Sequence, residues 1–196
     1  MSAVLKPTLE DYLATEANSA IKREFVGGEI YAMGGARPRH NVVAIELAVR
    51  VHGALQGKPC VTFSADQRVA VEGTGAYFYP DLTVTCERPR FVLPAPDALT
   101  NPTVLFEVLS PSTASWDRGG KFAHYQRFSS LQAYVIVDPE LRRLECYTRA
   151  VPPGSGWHYD SAEGDTPLSL ERLGLTLVPS ALFAVLDALP AESETG

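Results

Sequence analysis

Two carboxylates stand in stretches that otherwise read as sheet core: Asp81 in Tyr79-Pro80-Asp81-Leu82-Thr83-Val84, and Glu107 in Val104-Leu105-Phe106-Glu107-Val108-Leu109. Burying an ionised carboxylate is costly unless a cation or hydrogen bonds offset it, so an acid inside an apolar run needs a reason. In an extended chain Leu105 and Leu109 share Glu107's side while Val104, Phe106 and Val108 take the other, so neither side offers a polar surface. Lys121 follows fourteen residues later, a distance that a strand-loop-helix unit can return to the same strand end. Asp81 and Glu107 at adjacent strand ends, with a backbone carbonyl such as that of Val108 and several waters, suit Mg²⁺ or Mn²⁺. Such an ion generates hydroxide and stabilises charge on a phosphoryl oxygen, and an ammonium at Lys121 would position the water or neutralise a pentavalent phosphate. Plainer readings stand beside these: Asp81 as a turn-ending residue, Glu107 as a solvent-facing edge position.

Further candidates surround this set. Glu24 is either a third acid near the metal or a charged hairpin residue beside Arg23. Asp117 and Lys121 stand four apart on one helical face, a spacing that for Asp117 reads as an ordinary surface ion pair, and Tyr125 follows one turn on. His40 fits a helix cap, a phosphate contact or a structural role, and Arg37 and Arg39 flank it as candidate phosphate contacts. Gly73-Thr-Gly75 lacks the third glycine of a dinucleotide loop, and there is no Gly-x-Ser-x-Gly elbow, P-loop or His-Glu-x-x-His. Serine-hydrolase and nucleotide-hydrolase readings therefore have little support.

The elements that must position these residues are an α/β mixture in which strands outnumber helices. Thr8 with Asp11 predicts a capped helix of about two turns, and Arg23 to Met33 a hairpin about Gly27-Gly28. Residues 34–39 read as a loop, after which Asn41 is the expected cap of a helix carrying Val43, Leu47, Val51 and Leu55 to Gly57. Strands are expected at 60–63, 67–71, 82–86, 103–109, 133–138 and 143–149, with a helical crossover near 117–128 and an exposed tip at 151–156 before strand-like residues resume at Trp157. A single sheet with helices on its faces is the economical arrangement.

At 196 residues and 45% hydrophobic content, one domain spanning 1–196 is expected, with a core at about 8–185 and a frayed tail at 191–196. Cys60, Cys86 and Cys146 are odd in number and widely spaced, which predicts reduced, small apolar residues rather than a disulfide framework or zinc site. No apolar leader or membrane-length run is evident, so a soluble cytoplasmic protein is expected. The formal net charge of −6 argues against coating nucleic acid by phosphate neutralisation and leaves room for a local cationic groove.

Taken in order, Tyr79-Pro80-Asp81, Glu107-Val-Leu-Ser110-Pro-Ser-Thr113, Asp117-Arg118-Gly119, Lys121, Tyr125 and Val137-Asp138-Pro139 resemble the Uma-two family of restriction endonuclease-like proteins, in the PD-(D/E)XK nuclease superfamily. Arg23-Glu24, Gly28-Glu29, Met33 and Pro38-Arg39-His40-Asn41 extend the likeness to roughly residues 8–185. The resemblance implies a restriction-endonuclease-like fold, a mixed central sheet flanked by helices, with Asp81 and Glu107 binding divalent metal. It also implies a departure: Leu109 stands two residues after Glu107 where the simple pattern has Lys, and Lys121 matches the position of a Lys migrated to the following helix. Glu24 matches the superfamily's early acid. The expected function is a Mg²⁺- or Mn²⁺-dependent endonuclease acting on nucleic acid, DNA first, as a homodimer whose two sites would meet two strands. The alternatives are a non-catalytic binding or assembly protein on a nuclease scaffold, and a hydrolase of small phosphodiesters.

Overall fold

A computed structural model describes residues 6–35, 37–93, 97–152 and 154–190, so the expected frayed tail lies outside the described residues. Thr8 opens the first helix, α1 (Leu9–Glu16): its hydroxyl accepts from the Asp11 N–H while the Asp11 carboxylate accepts from the Thr8 N–H. Gly27 and Gly28, both at positive φ, then turn β1 (Arg23–Val26) back onto β2 (Glu29–Ala32). The next helix, α2 (Pro38–Leu55), buries Val43, Leu47, Val51 and Leu55 as their spacing requires. It starts before the expected Asn41 cap. Pro38 sits in its first turn, where a missing N–H costs nothing, and so draws Arg39 and His40 into the helix.

The expected single sheet is instead two principal sheets and a small hairpin. The six-stranded sheet runs β10-β9-β8-β7-β6-β3, made of β3 (Val61–Ser64), β6 (Leu82–Thr85), β7 (Val104–Val108), β8 (Ala133–Asp138), β9 (Arg143–Arg149) and β10 (Trp157–Glu163). Within it β7 and β8 are parallel, joined by the expected helical crossover, and the other neighbours are antiparallel. The four-stranded sheet runs β2-β1-β5-β4, where β4 (Val69–Val71) and β5 (Ala76–Phe78) are three residues each. β5 was not legible as a strand, yet by pairing Tyr77 with Phe25 it gathers the N-terminal hairpin into a sheet of its own. The small hairpin pairs β11 (Leu168–Leu170) with β12 (Leu175–Leu177).

Two apolar layers follow from this arrangement. On one face of the six-stranded sheet, Val104, Phe106, Val108, Val135 and Val137 pack on α2 and on α4 (Pro179–Phe183). On the other, Leu105, Leu109, Tyr134 and Ile136 meet Val69, Val71, Phe78 and Tyr125. Glu107 therefore points between the two sheets. Tyr79-Pro80-Asp81 is the span by which the chain leaves β5 in one sheet and enters β6 in the other.

Cys60 and Cys86 correct the expectation of reduced cysteines: they form a disulfide, while Cys146 is free and buried. Pairing of Val61 with Thr85 places these two flanking residues opposite each other, a relation that linear spacing does not contain. Among the described residues no helix is long and apolar enough to cross a membrane.

Candidate active site

Glu107 lies in the middle of the inter-sheet layer, on the fourth of five buried residues in β7. Its Oε1 accepts from Lys121 Nζ at 3.1 Å and from the Tyr125 hydroxyl at 2.7 Å. Lys121 closes a π-helical turn, Trp116–Lys121, which runs directly into α3 (Phe122–Tyr125). The wider π turn is a frequent companion of functional sites. Here it brings Asp117 inward as well, so that Lys121 Nζ lies 3.1 Å from Glu24 Oε1 and 3.2 Å from Asp117 Oδ1. Lys121 is 4% exposed and Asp117 2%, which overturns the reading of Asp117 as a surface ion pair. Glu24 belongs to the site although it stands on the hairpin: β1 faces the inter-sheet layer there, and Glu24 Oε1 also accepts from the Tyr79 N–H at 3.3 Å.

Three acids, Glu24, Glu107 and Asp117, thus share one ammonium, and Asp81 is the fourth acid of the cluster. Burial pushes the Glu107 carboxyl well above its ordinary range; the Lys121 charge opposes this, and the charges of Asp117, Asp81 and Glu24 add to it. Burial also raises Glu24, again against Lys121. For Lys121 burial acts the other way, but the Glu107, Glu24 and Asp117 charges overcome it and hold the amine protonated well above its usual limit. Burial, with the Glu107 charge, keeps Tyr125 a neutral phenol that can donate.

Asp81 sits one residue before β6, beside the end of β7. Its Oδ2 accepts from the Val108 N–H at 2.7 Å and its Oδ1 lies 3.2 Å from His40 Nε2. His40 is therefore a partner of Asp81. Burial works against charge on His40, but the hydrogen bond and charge of Asp81, then Asp117 and the Val108 backbone, raise its pKa. A folded-state pKa above the unfolded value of about 6.5 gives stability that is complete below that value and lost as pH rises through the raised pKa. With chelator present, the difference in melting temperature between the parent and His40→Gln should be largest near pH 5.5 and shrink toward pH 9. A pH-independent difference would show that His40 contributes no charge.

Arg37 precedes α2 exposed and makes no side-chain capping bond. Arg39 donates to Glu140 Oε1 at 3.1 Å and to the Pro139 carbonyl at 3.0 Å, so it braces the turn after β8. Arg37, Arg39 and His40 line one crevice with Ser110, Pro111 and Glu140.

The Uma2 family, described as "Putative restriction endonuclease", matches residues 9–179. The chain belongs to the Uma2 family. Two curated relatives from Synechocystis sp. (strain ATCC 27184 / PCC 6803 / Kazusa) are similar over much of their length. The uncharacterized protein slr1290 is 31% identical, covering 89% of this chain and 90% of its own. The uncharacterized protein sll1609 is 34% identical, covering 72% and 80%. A crystal structure described as a putative nuclease belonging to DUF820, from Anabaena variabilis ATCC 29413, superposes with a TM-score of 0.74 at 18% identity, over 91% of this chain and 98% of that one. The fold is thus the restriction-endonuclease-like one, α/β with a mixed central sheet.

Within the Uma2 chain the donors suit a hard divalent cation in kind, since Asp81, Glu107 and the Val108 carbonyl all offer oxygen. Among the described residues no three His, Cys, Asp or Glu side chains are grouped to hold a metal ion, and the Lys121 ammonium is the cation nearest three of the four acids. An ion held there would have few protein ligands and would need water and substrate to complete its shell.

Arg118, between Asp117 and Lys121, was missed by sequence reasoning. Its guanidinium donates at 2.7 Å to both Asp138 Oδ2 and Glu145 Oε1, tying the π turn to β8 and β9, while the Tyr134 hydroxyl donates to the Asp117 carbonyl at 2.9 Å. The available signal was Asp138 at the end of an apolar strand, an acid lacking an evident partner. Arg118→Ala should cost about 2–3 kcal/mol in urea unfolding, because two buried carboxylates lose their shared partner. Restoration by Asp138→Asn with Glu145→Gln would identify unpaired charge as the cause; parent-like stability of Arg118→Ala would dismiss the clamp.

Proposed function

We propose that this chain is a Mg²⁺- or Mn²⁺-dependent nuclease that hydrolyses phosphodiester bonds of nucleic acid, DNA first, with Asp81 and Glu107 as metal acids and Lys121 as the charged partner. The observation that carries the reading is that Asp81 meets the β7 backbone one residue after Glu107, whose carboxylate in turn meets a buried ammonium. Membership of a family described as "Putative restriction endonuclease" agrees with it. Asp81, Glu107 and the Val108 carbonyl would hold the ion, which when bound supplies an activated water and neutralises charge on the scissile phosphate.

The chain's own groups do the rest. Lys121 keeps its proton and directs Nζ at the place where Glu107 and Glu24 meet, a donor for the attacking water or for the growing charge on phosphorus. Tyr125 fixes Glu107 by donating to the same oxygen that faces Lys121. His40 and the Val108 N–H fix Asp81 from two sides. Arg37, exposed at the start of α2, would meet a flanking phosphate, whereas Arg39 serves by holding Glu140. Homodimerisation would present two such sites to the two strands of a duplex.

The test is incubation of the purified protein with supercoiled plasmid, single-stranded DNA and RNA, in Mn²⁺, Mg²⁺ or chelator. Metal-dependent nicking that Glu107→Gln loses supports the reading; nicking that survives in Glu107→Gln would sink the site assignment.

One observation favours a second reading, a non-catalytic binding protein on this scaffold: Lys121 already contacts three of the four acids. That reading requires no saturable Mn²⁺ binding and no rise in melting temperature with the ion.

A further inference from the structure

Two exposed aromatic rings stand at the edge of the carboxylate site with no part in it. Tyr31 is the cross-strand partner of Glu24, and directly opposed residues of an antiparallel pair project to the same side of the sheet. Trp116 immediately precedes Asp117 and begins the π turn that ends at Lys121. Their ring centroids are 6.4 Å apart with 29° between the planes, near the outer limit of about 4.5–7 Å for aromatic pairs. Tyr31 is 47% exposed and Trp116 38%, unusual for two large rings that are already neighbours.

Both rings are held in place. The Tyr31 hydroxyl donates to Glu29 Oε2 at 2.6 Å, and Glu29 in turn accepts from Lys6 at 2.8 Å. The indole lies against the Gly120 backbone so closely that a Cβ on Gly120 would fall 1.8 Å from Trp116 Cε3, which leaves glycine as the residue that lets the ring settle on the turn. His124 backs the indole at 6.4 Å and rests on Phe78 at 5.4 Å. Burial, then the Arg127 charge, lowers the His124 pKa and keeps this backing ring uncharged at neutral pH.

We propose that Tyr31 and Trp116 form a stacking platform for an unpaired nucleobase, and hence that the strand presented to Asp81, Glu107 and Lys121 is single-stranded nucleic acid. Bases in an intact duplex have their faces covered by their neighbours, whereas an unpaired base offers a π-face to any ring. The net charge of −6 leaves little affinity to be gained from the phosphates of any nucleic acid, so contact with the bases is the source that remains. This inference rests on the nuclease reading above and names its substrate class.

Trp116 and Trp157 are the two tryptophans of the chain, so in Trp157→Phe protein the emission reports Trp116. With chelator present and the oligonucleotide recovered intact, an oligothymidylate should quench that emission saturably, and the same strand in a complete duplex should not. Trp116→Ala and Tyr31→Ala should each weaken binding of labelled single strand roughly tenfold, while Trp116→Phe and Tyr31→Phe keep most of it, all at parent melting temperatures. An oligouridylate run in parallel decides between RNA and DNA as the source of the strand. Equal quenching by the duplex, or alanine variants that bind like the parent, would overturn the proposal. The two readings fail separately. Quenching by single strands without cleavage of any substrate in Mn²⁺ leaves the platform and removes the nuclease; cleavage of single strands unchanged in Trp116→Ala does the reverse.

Discussion

Lys121→Met is expected to lose about 3–5 kcal/mol of stability at pH 8, the largest effect foreseen for any single change in this chain. The ammonium is the shared partner of Glu24, Glu107 and Asp117, all buried. A methionine of similar length fills its space and leaves three carboxylates facing one another in a layer that excludes water. Protonating Glu107 and Glu24, whose carboxyls burial already raises, relieves that repulsion, so the deficit should shrink as pH falls toward 5, opposite to the usual acid loss of a salt-bridged carboxylate. Mn²⁺ should raise the melting temperature of the variant by more than that of the parent, since a divalent ion restores the missing charge. Urea unfolding of the two proteins at pH 8 and pH 5.5 measures this directly; equal stability at both would mean that the acids do not depend on Lys121.

Glu107→Gln carries the second large effect, on activity. An amide of the same shape keeps the Tyr125 and Lys121 neighbours but removes the carboxylate proposed to hold metal, and activity should fall by about three orders of magnitude or more. Near pH 4 stability should move little, because the buried Glu107 carboxyl is protonated there and the amide resembles it. The pH dependence carries the sign. A carboxyl whose folded-state pKa is raised binds its proton more tightly in the native state, so the parent loses stability as pH climbs from the unfolded value near 4.3 toward the raised one. Melting temperatures in chelator from pH 4 to 8 should therefore favour the variant progressively over the parent. A variant that lags further behind at high pH would reverse the assignment of Glu107 as the acid penalised by burial.

Some of this was legible in the sequence and some was not, for reasons that individual residues make plain. Glu107 declared itself by being an acid in an apolar run, and Asp81 by preceding a strand behind a proline. Lys121 could be matched to the site through the resemblance, with spacing permitting it. Asp117 could not be placed, because a four-residue separation from Lys121 describes an exposed face and a buried face equally well; the choice is made by Glu24, which arrives from another sheet. That second sheet was invisible for a related reason: β5 has three residues, too few to show alternation, and its pairing with β1 is a contact between distant segments. Arg118 was passed over because its partners, Asp138 and Glu145, lie on strands that become neighbours only once the sheet has formed. The disulfide has the same origin, in register rather than in composition.

The Tyr79-Pro80-Asp81 span gives the molecule a property that neither sheet has alone. Because Glu24 comes with one sheet and Glu107 with the other, and Asp81 rides the connection between them, the proposed chemistry would require the two layers to be pressed together. A slight parting would admit water, separate the ammonium from its acids and silence the site, with every strand still hydrogen-bonded to its neighbours. Turnover would then act as a gauge of how firmly the halves are seated, more sensitive than any measure of strand content.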